Sequence, residues 1–206
     1  LVLLTGTESD LAGVLGHETA HVRQRHIARS ILAQSRMSLG TTAAMLAAVL
    51  IGAASGAGGQ AMEGAIAMSQ GIALQQSMNF TRGEEQEADR VGIGLLAGAG
   101  FNTMAMADFF DSMRRREGLA EAAGPFDLLR SHPVTRDRIA EARTRAVQYA
   151  KSPINESILF QWMRERLRVL VAPGDKDMTV YYAQLRDRRP LTDPERYGEA
   201  LAQTRA

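Results

Sequence analysis

The sequence predicts a mainly α-helical fold with at most a small β element. Ala, Leu, Gly and Met supply most of the apolar content, and aromatic residues make up only 5% of the chain. Small and unbranched side chains favour closely packed helices, whereas sheets are enriched in β-branched and aromatic residues. Apolar residues also recur at helical spacing, and 206 residues suit one domain with an extension or two small domains.

The charge balance and the missing cysteine narrow the classes of partner and metal site. The 24 basic and 23 acidic residues leave a net charge of +1, which gives no overall attraction to nucleic acid. We therefore expect no nucleic-acid partner. The chain has no Cys, so disulfides and thiolate metal sites are excluded, and any metal must be bound by His and carboxylate groups.

The first residues predict a short strand followed by a long helix. Residues 1–4 are apolar and lead into Thr-Gly, a pattern typical of a strand that ends in a turn. Residues 7–10 then offer a helix N-cap and acidic first-turn side chains. A helix is therefore expected from about Glu8 to Gln34.

The segment Leu39–Ala54 is almost entirely apolar. It is shorter than the roughly 20 residues that a helix needs to span a bilayer. One interpretation is a buried helix or hairpin. The other is a surface that contacts a membrane or an apolar substrate.

Further helices are expected through the middle of the chain. Residues 60–79 form a Met- and Ala-rich helical segment whose Met side chains are expected to fill the core. The next helix should begin near Thr81 and end at Gly98 and Gly100, where glycine can adopt the backbone conformation of a helix end. Another helix should follow up to about Glu117.

The last part of the chain also has helical patterns. Pro133 fits the first position of a helix that reaches about Tyr149, because proline needs no amide partner there. Lys151-Ser152-Pro153 is the best domain boundary, since Pro and polar residues separate two helical patterns. Beyond it, helices are expected at 156–171, 177–188 and 194–205.

The pentapeptide His17-Glu18-Thr19-Ala20-His21 has the H-E-x-x-H spacing of a zinc site. On a helix, residues four apart lie on one face about one turn apart, so both imidazoles can reach one ion. Glu18 lies between them in sequence and can hold a water beside the metal. The competing interpretation is that His17 and His21 are partly buried core histidines without a ligand.

A second pair of residues with the same spacing can complete this site. Glu85 and Asp89 share a face of the helix expected from Thr81 onward. A catalytic zinc commonly takes two His and one Glu, and a carboxylate then fixes the tautomer of a ligand His. A solvated helix start is the alternative for this acidic cluster, and Glu84 and Glu87 are expected to face solvent.

Three blocks of sequence carry a resemblance to a known family. They are residues 11–26, residues 84–92, and Ser131-His132-Pro133 with Arg138-Ile139. In these blocks the chain resembles the gluzincin zinc metallopeptidases related to HtpX and the CAAX prenyl endopeptidase. Within that family it is most similar to the BepA-like bacterial periplasmic branch.

This resemblance implies a site and a function. It implies that His17, His21 and Glu85 bind one Zn²⁺ per chain, that Glu18 is the general base, and that Asp89 orients a ligand. It also implies an endopeptidase of the bacterial periplasm that hydrolyses misfolded or misassembled cell-envelope proteins and has chaperone-like activity. The alternatives are a non-proteolytic, zinc-stabilised binding or assembly module and a membrane-associated peptidase.

The remaining candidate residues have two interpretations each. His132 is either a locally bonded helix-start residue or part of a loop that covers the zinc cleft. In the cleft it would act as a latch on the open zinc position, or donate a hydrogen bond to the reacting group. Arg138 would orient that loop or the reaction intermediate. His26 is expected to lie off the metal face as a surface or packing residue.

The resemblance also implies the domain organisation and the partners. A metallopeptidase domain is expected at 1–150, with its N-terminal part missing, and a helical extension at 151–206. Tyr181–Ala206 would be either the start of tetratricopeptide repeats or a plain extension. The expected partners are unfolded or misassembled outer-membrane proteins and envelope assembly machinery at the C-terminal helices. Independently of the resemblance, the apolar run Leu39–Ala54 predicts a peripheral membrane contact in one of its two interpretations.

Overall fold

The structure is a computed structural model that describes residues 1–55, 59–117, 132–149, 157–173 and 177–205. Within these ranges the regular structure is helical and contains no strand, so the mainly α prediction is confirmed. After a 3-10 turn at Val2–Leu4, the α-helices in chain order are α1 Glu8–Arg23, α2 His26–Ser55, α3 Gly59–Gly98, α4 Met104–Glu117, α5 Arg136–Tyr149, α6 Ile158–Leu170, α7 Met178–Arg188 and α8 Asp193–Gln203. The chain divides into two compact units, one made of Leu1–Gly16 and Ile93–Ala206 and the other of His17–Gly92.

The strand predicted at residues 1–4 is wrong. Val2–Leu4 form a single 3-10 turn, closed by a bond from the Leu4 amide to the Leu1 carbonyl at 2.7 Å. The buried Thr5 hydroxyl donates to the Val2 carbonyl at 2.8 Å. The backbone groups of these residues therefore bond locally, as in other short 3-10 turns.

The single helix predicted from Glu8 to Gln34 is also wrong, because the chain turns after α1. Arg25 has φ 55°, in the left-handed region, and α2 begins at the next residue. A left-handed conformation costs a non-glycine residue about 1–2 kcal/mol. The cost is offset where the turn buries His26 in the second unit.

The core of the first unit lies between α1, α3, α4 and α5. Its buried residues are Val14, Ile93, Leu96, Met106, Ala107, Phe109, Phe110, Met113, Ile139 and Ala142. Gly13 allows α1 to approach α4 closely, since a Cβ at this position would lie 3.3 Å from the Met106 Cα. Gly100, at φ 78°, ends the α3 segment as predicted.

Helices α6, α7 and α8 pack around a small second core of the first unit. Tyr182 is fully buried there, and its hydroxyl donates to Glu165 Oε2 at 2.9 Å. This group of helices is attached to the start of the chain, because Arg164 donates to the Gly6 carbonyl at 2.8 Å and the Ser157 amide donates to Glu8 Oε2 at 2.9 Å. The domain boundary at 150 and the tetratricopeptide start remain predictions, and Lys151-Ser152-Pro153 lie outside the described residues.

The second unit contains the long helix α2 and most of α3, and much of their apolar surface faces solvent. Leu39, Leu46 and Leu50 are 71%, 61% and 71% exposed. The buried interpretation of this segment is therefore wrong for its described side chains, because two helices can bury only the faces that they turn toward each other. The exposed Met68 and Met78 likewise do not fill a core. No helix in the described ranges has the length and apolarity that a membrane span requires.

Candidate metal centre

The two pairs of residues with four-residue spacing lie close together in the second unit. α1 supplies His17 and His21, and α3 supplies Glu85 and Asp89. The Nε2 atoms of the two histidines lie 3.0 Å apart. Glu85 Oε2 lies 3.4 Å from His17 Nε2, and Glu85 Oε1 lies 3.4 Å from His21 Nε2.

This arrangement fits a metal ion. Candidate ligand atoms of His17, His21 and Glu85 all lie within 4.8 Å of one another, and His17 and Glu85 are buried. Two imidazole nitrogens and one carboxylate form the donor set of many catalytic zinc sites. Three such groups converge here from two helices, at a separation that one ion can bridge.

The environment of His17 is strongly negative. Its Nδ1 lies 2.9 Å from Asp89 Oδ1, a distance at which a carboxylate can orient an imidazole. Burial lowers the pKa of His17, but the hydrogen bonds and charges of Asp89 and Glu85 outweigh it and raise the pKa to about 9. The charge that holds a proton on His17 would also hold a metal cation.

His26 is the functional candidate that the sequence reasoning missed. The sequence predicts a surface or packing residue off the metal face, yet His26 is only 2% exposed and its Nδ1 lies 2.8 Å from the Nδ1 of His21. On a continuous helix these two side chains would point about 140° apart. The turn at Arg25 brings them together, and neither Gly nor Pro in the sequence announces that turn.

The solvated positions predicted for Glu84 and Glu87 are wrong. Glu84 is buried and accepts a hydrogen bond from the Ser30 hydroxyl at 2.8 Å. Glu87 Oε2 lies 3.3 Å from His26 Nε2 and accepts a bond from Arg29 Nη1 at 2.7 Å. The hydrogen bond from Arg29 is the main reason that the pKa of Glu87 is lowered. The sequence could not show these partners, because they lie on α2 more than 50 residues away.

The other predicted site residues are placed as follows. Glu18 follows His17 on α1 and is half-buried in the second unit, while His132 is half-buried and precedes α5 in the first unit. Arg138 is buried, donates from Nη1 to the Pro133 carbonyl at 2.8 Å, and lies over the ring of Phe110 at 4.9 Å. It therefore fixes the backbone just after His132.

The predicted start of α5 at Pro133 is wrong. The helix begins at Arg136, and the Thr135 hydroxyl caps it by accepting the Arg138 amide at 3.2 Å. A Thr side chain that accepts the amide three residues later is a strong helix start, so it prevails over proline here. Ser131 of the third sequence block lies outside the described residues.

The sequence is similar to a known peptidase family and to individual proteins. The model of Peptidase family M48 matches residues 1–146. A putative beta-barrel assembly-enhancing protease of Vibrio cholerae serotype O1 is 36% identical over 204 residues, which is 98% of this chain and 41% of that protein.

Two further relatives are described as beta-barrel assembly-enhancing proteases. The Yersinia pestis protein is 34% identical over 85% of this chain and 35% of its own length. The Escherichia coli K12 protein is 34% identical over 84% of this chain and 34% of its own length. The chain thus spans about two fifths or less of these relatives. The family resemblance is confirmed, and the chain belongs to peptidase family M48.

Proposed function

We propose that this chain is a zinc-dependent endopeptidase domain in which His17, His21 and Glu85 bind one Zn²⁺. The observation that carries this proposal is that the two Nε2 atoms lie 3.0 Å apart and that each lies 3.4 Å from one Glu85 carboxylate oxygen. A solvated acidic helix start would not place a buried carboxylate against two imidazoles. The cluster of possible ligand residues supports the binding of a metal ion in general. We choose zinc because two His and one Glu form a donor set that zinc prefers.

Each protein group at the site has a role in this proposal. Bound zinc would supply a Lewis acid that makes a water acidic and polarises a peptide carbonyl. Glu18 accepts the proton from the attacking water and then delivers it to the leaving amine, as a general base and general acid. Asp89 holds the Nδ1 proton of His17, so that Nε2 of this ring stays directed at the metal.

The substrates that we propose are polypeptides of the bacterial cell envelope. The relatives are described as proteases that enhance β-barrel assembly. By extension, this chain would act in the periplasm on unfolded or misassembled outer-membrane proteins, and would also assist their assembly. Helices α6–α8 offer the surface on which envelope assembly machinery would bind.

Access to the metal would be controlled by the segment before α5. We propose that His132 occupies the open zinc position as a latch, and that Arg138 holds its loop. The bond from Arg138 to the Pro133 carbonyl supports this role, because it fixes the backbone one residue after His132. A zinc with four protein ligands cannot activate water, so the loop would have to move before catalysis.

A contact with the membrane surface would place the peptidase near its substrates. Between Arg36 and Arg82 the sequence contains one charged residue, Glu63, and the described side chains there include exposed apolar ones. The Thr41 hydroxyl bonds its own helix at the Met37 carbonyl, 2.8 Å away, which reduces the cost of entering an apolar medium. This part of α2 and α3 would therefore dip into one leaflet without crossing it.

Vesicle binding tests the membrane contact. The wild-type chain should float with anionic phospholipid vesicles, and Leu46→Glu with Leu50→Glu should abolish flotation, because each charge must leave water. The matched control is Val147→Glu with Tyr149→Glu, two exposed apolar residues on α5. Flotation that both double variants retain, or both lose, would contradict an apolar contact through α2.

Metal content and proteolysis test the peptidase. Purified wild-type chain should contain one zinc and digest casein, whereas Glu18→Gln should keep the zinc and lose activity by about 10²–10⁴-fold. Thr19→Ala, an exposed neighbour, is the control for local disturbance. If zinc is bound but no variant digests casein, even with His132→Ala, the non-proteolytic binding module is the better description.

A further inference from the structure

We propose that His26 is a positioning residue for His21. Glu87 holds His26 in turn, and Arg29 holds Glu87. The inference rests on the proposed zinc site, because it concerns how one of the ligands is oriented. It assigns a role to a buried histidine that lies five residues after the H-E-x-x-H pentapeptide. The chain of groups runs from α1 across the start of α2 to α3.

Each of these groups lies within hydrogen-bond distance of the next. His21 Nδ1 lies 2.8 Å from His26 Nδ1, and His26 Nε2 lies 3.3 Å from Glu87 Oε2. Arg29 Nη1 donates to the same carboxylate oxygen at 2.7 Å. The two imidazole rings meet nearly at right angles, with an interplanar angle of 85°.

Only one arrangement of protons suits both a metal ligand and these bonds. His21 directs Nε2 toward His17 and Glu85, so that nitrogen must be unprotonated to bind a metal. A neutral imidazole then carries its proton on Nδ1, which donates to His26 Nδ1. His26 in turn carries its proton on Nε2 and donates to Glu87. The carboxylate thus fixes the tautomer of His21 through a second ring.

The two histidine ligands are therefore held by different devices. His17 bonds a carboxylate directly, at 2.9 Å to Asp89 Oδ1. His21 reaches a carboxylate only through His26, and Arg29 balances the charge of that carboxylate. Both devices do what the partners of metal-bound histidines generally do, which is to fix the ring and its tautomer.

The backbone of the turn is consistent with a role in the site. Arg25 is the one non-glycine residue of the described ranges with positive φ, and it directly precedes His26. Strained backbone of this kind persists where the surrounding contacts require it. Here it folds the chain back so that His26 bonds the residue that lies five positions earlier.

Zinc affinity measured on the whole chain tests the inference. His26→Phe keeps a ring but removes both nitrogens, whereas His26→Asn keeps an oxygen near the position of Nδ1. We expect His26→Phe to weaken zinc binding 10–100-fold in competition with a chelator. His26→Asn should recover only part of the loss, because its amide oxygen can accept the bond from His21 Nδ1 but the side chain does not reach Glu87. The absorption spectrum of the Co²⁺-substituted protein should change in the same order.

Ser30→Ala is the matched control. It removes a neighbouring hydrogen bond of 2.8 Å between α2 and α3, to Glu84, without touching His21. Its zinc affinity should equal that of the wild type. A loss in Ser30→Ala as large as in His26→Phe would overturn the inference, since the effect would then come from the packing of the two helices.

The other outcomes are equally decisive. Wild-type affinity in His26→Phe, or an equal loss in a folded His26→Asn, would sink the positioning role while leaving the zinc site in place. If His26→Phe does not fold, Glu87→Gln decides, because it keeps the shape and removes the charge; weaker binding supports the inference and unchanged binding refutes it. A wild-type chain that binds no zinc would instead refute the proposed function itself.

Discussion

Asp89 Oδ1 lies 2.9 Å from His17 Nδ1, on the side of the ring opposite the nitrogen that faces His21 and Glu85. Both partners are buried, so water does not compete for this bond. A carboxylate in this position selects the tautomer in which Nε2 is free to bind a metal. His17 therefore depends on Asp89 for the orientation in which it could bind a metal.

Replacing Asp89 should weaken the metal site without destroying the helices. In Asp89→Ala we expect zinc affinity to fall 10–100-fold, because His17 loses its tautomer control. Chelator competition measures the loss. Asp108→Ala on α4 removes an exposed carboxylate and is the control. Equal affinities for all three proteins would show that the Asp89 bond is not needed for binding.

Removing the proposed latch should increase peptidase activity. His132→Ala would leave an open position at the zinc, so casein should be digested faster than by the wild type at equal zinc content. A second variant, Arg138→Gln, keeps the imidazole but removes the guanidinium bonded to the Pro133 carbonyl, so it should change activity in the same direction as His132→Ala. Activity and metal coordination that do not change in His132→Ala would argue against a latch.

Gly198 is required by the packing of the C-terminal helices. A Cβ at this position would lie 2.1 Å from the Tyr182 hydroxyl oxygen and 3.2 Å from the Glu165 Cβ. Gly198→Ala should therefore lower the free energy of unfolding by about 1–3 kcal/mol, as overpacking of a core does. Gly71→Ala on α3 meets nothing within 4 Å and should be neutral or slightly stabilising. Chemical denaturation compares the two, and equal effects would contradict the predicted clash.

The C-terminal helices should lose stability in acid through Glu195. Its carboxylate accepts two bonds from Arg189, at 2.9 and 2.6 Å, and one from the Thr192 amide at 2.8 Å. The Arg189 bonds are the largest cause that lowers the pKa of Glu195, from 4.5 to about 2. Because the folded state has the lower pKa, this stabilisation is fully present above pH 4.5 and is lost as the pH falls toward 2.

The variant Glu195→Gln tests this stabilisation, because it removes the charge but keeps a hydrogen-bonding side chain at the helix start. At pH 7 it should lower the free energy of unfolding by about 1–2 kcal/mol, since bonds to a charged group are stronger than neutral ones. The difference from wild type should shrink steadily between pH 4.5 and pH 2. A difference that is constant with pH would mean that the charge of Glu195 is not what stabilises α8.

The sequence predicted those parts of the site that depend on spacing within one helix. The pairs His17 with His21 and Glu85 with Asp89 were found because four-residue spacing places side chains on one face. The sequence did not predict His26, because its position depends on a left-handed Arg25 that no Gly or Pro marks. Tertiary contacts, not local preference, determine that turn.

Burial was the harder property to predict. The hydrophobicity of the apolar run that includes Leu39, Leu46 and Leu50 favours a buried position, yet these side chains are exposed in the structure. Conversely, the charge of Glu84 predicts a solvent-exposed side chain, but Glu84 is buried and bonded to Ser30. Hydrophobicity indicates what a side chain prefers, whereas burial also depends on whether another element of the chain covers it.

The ligands of the proposed metal come from two parts of the chain that are far apart in sequence. His21 and Glu85 are separated by 64 positions, and all of α2 and about two thirds of α3 lie between them. An ion bound by both would act as a cross-link that closes this loop. By the chain-entropy relation for cross-links, such a closure removes about 4 kcal/mol of unfolded-state freedom. In a chain without cysteine, the catalytic ion would thus do the work of a disulfide as well.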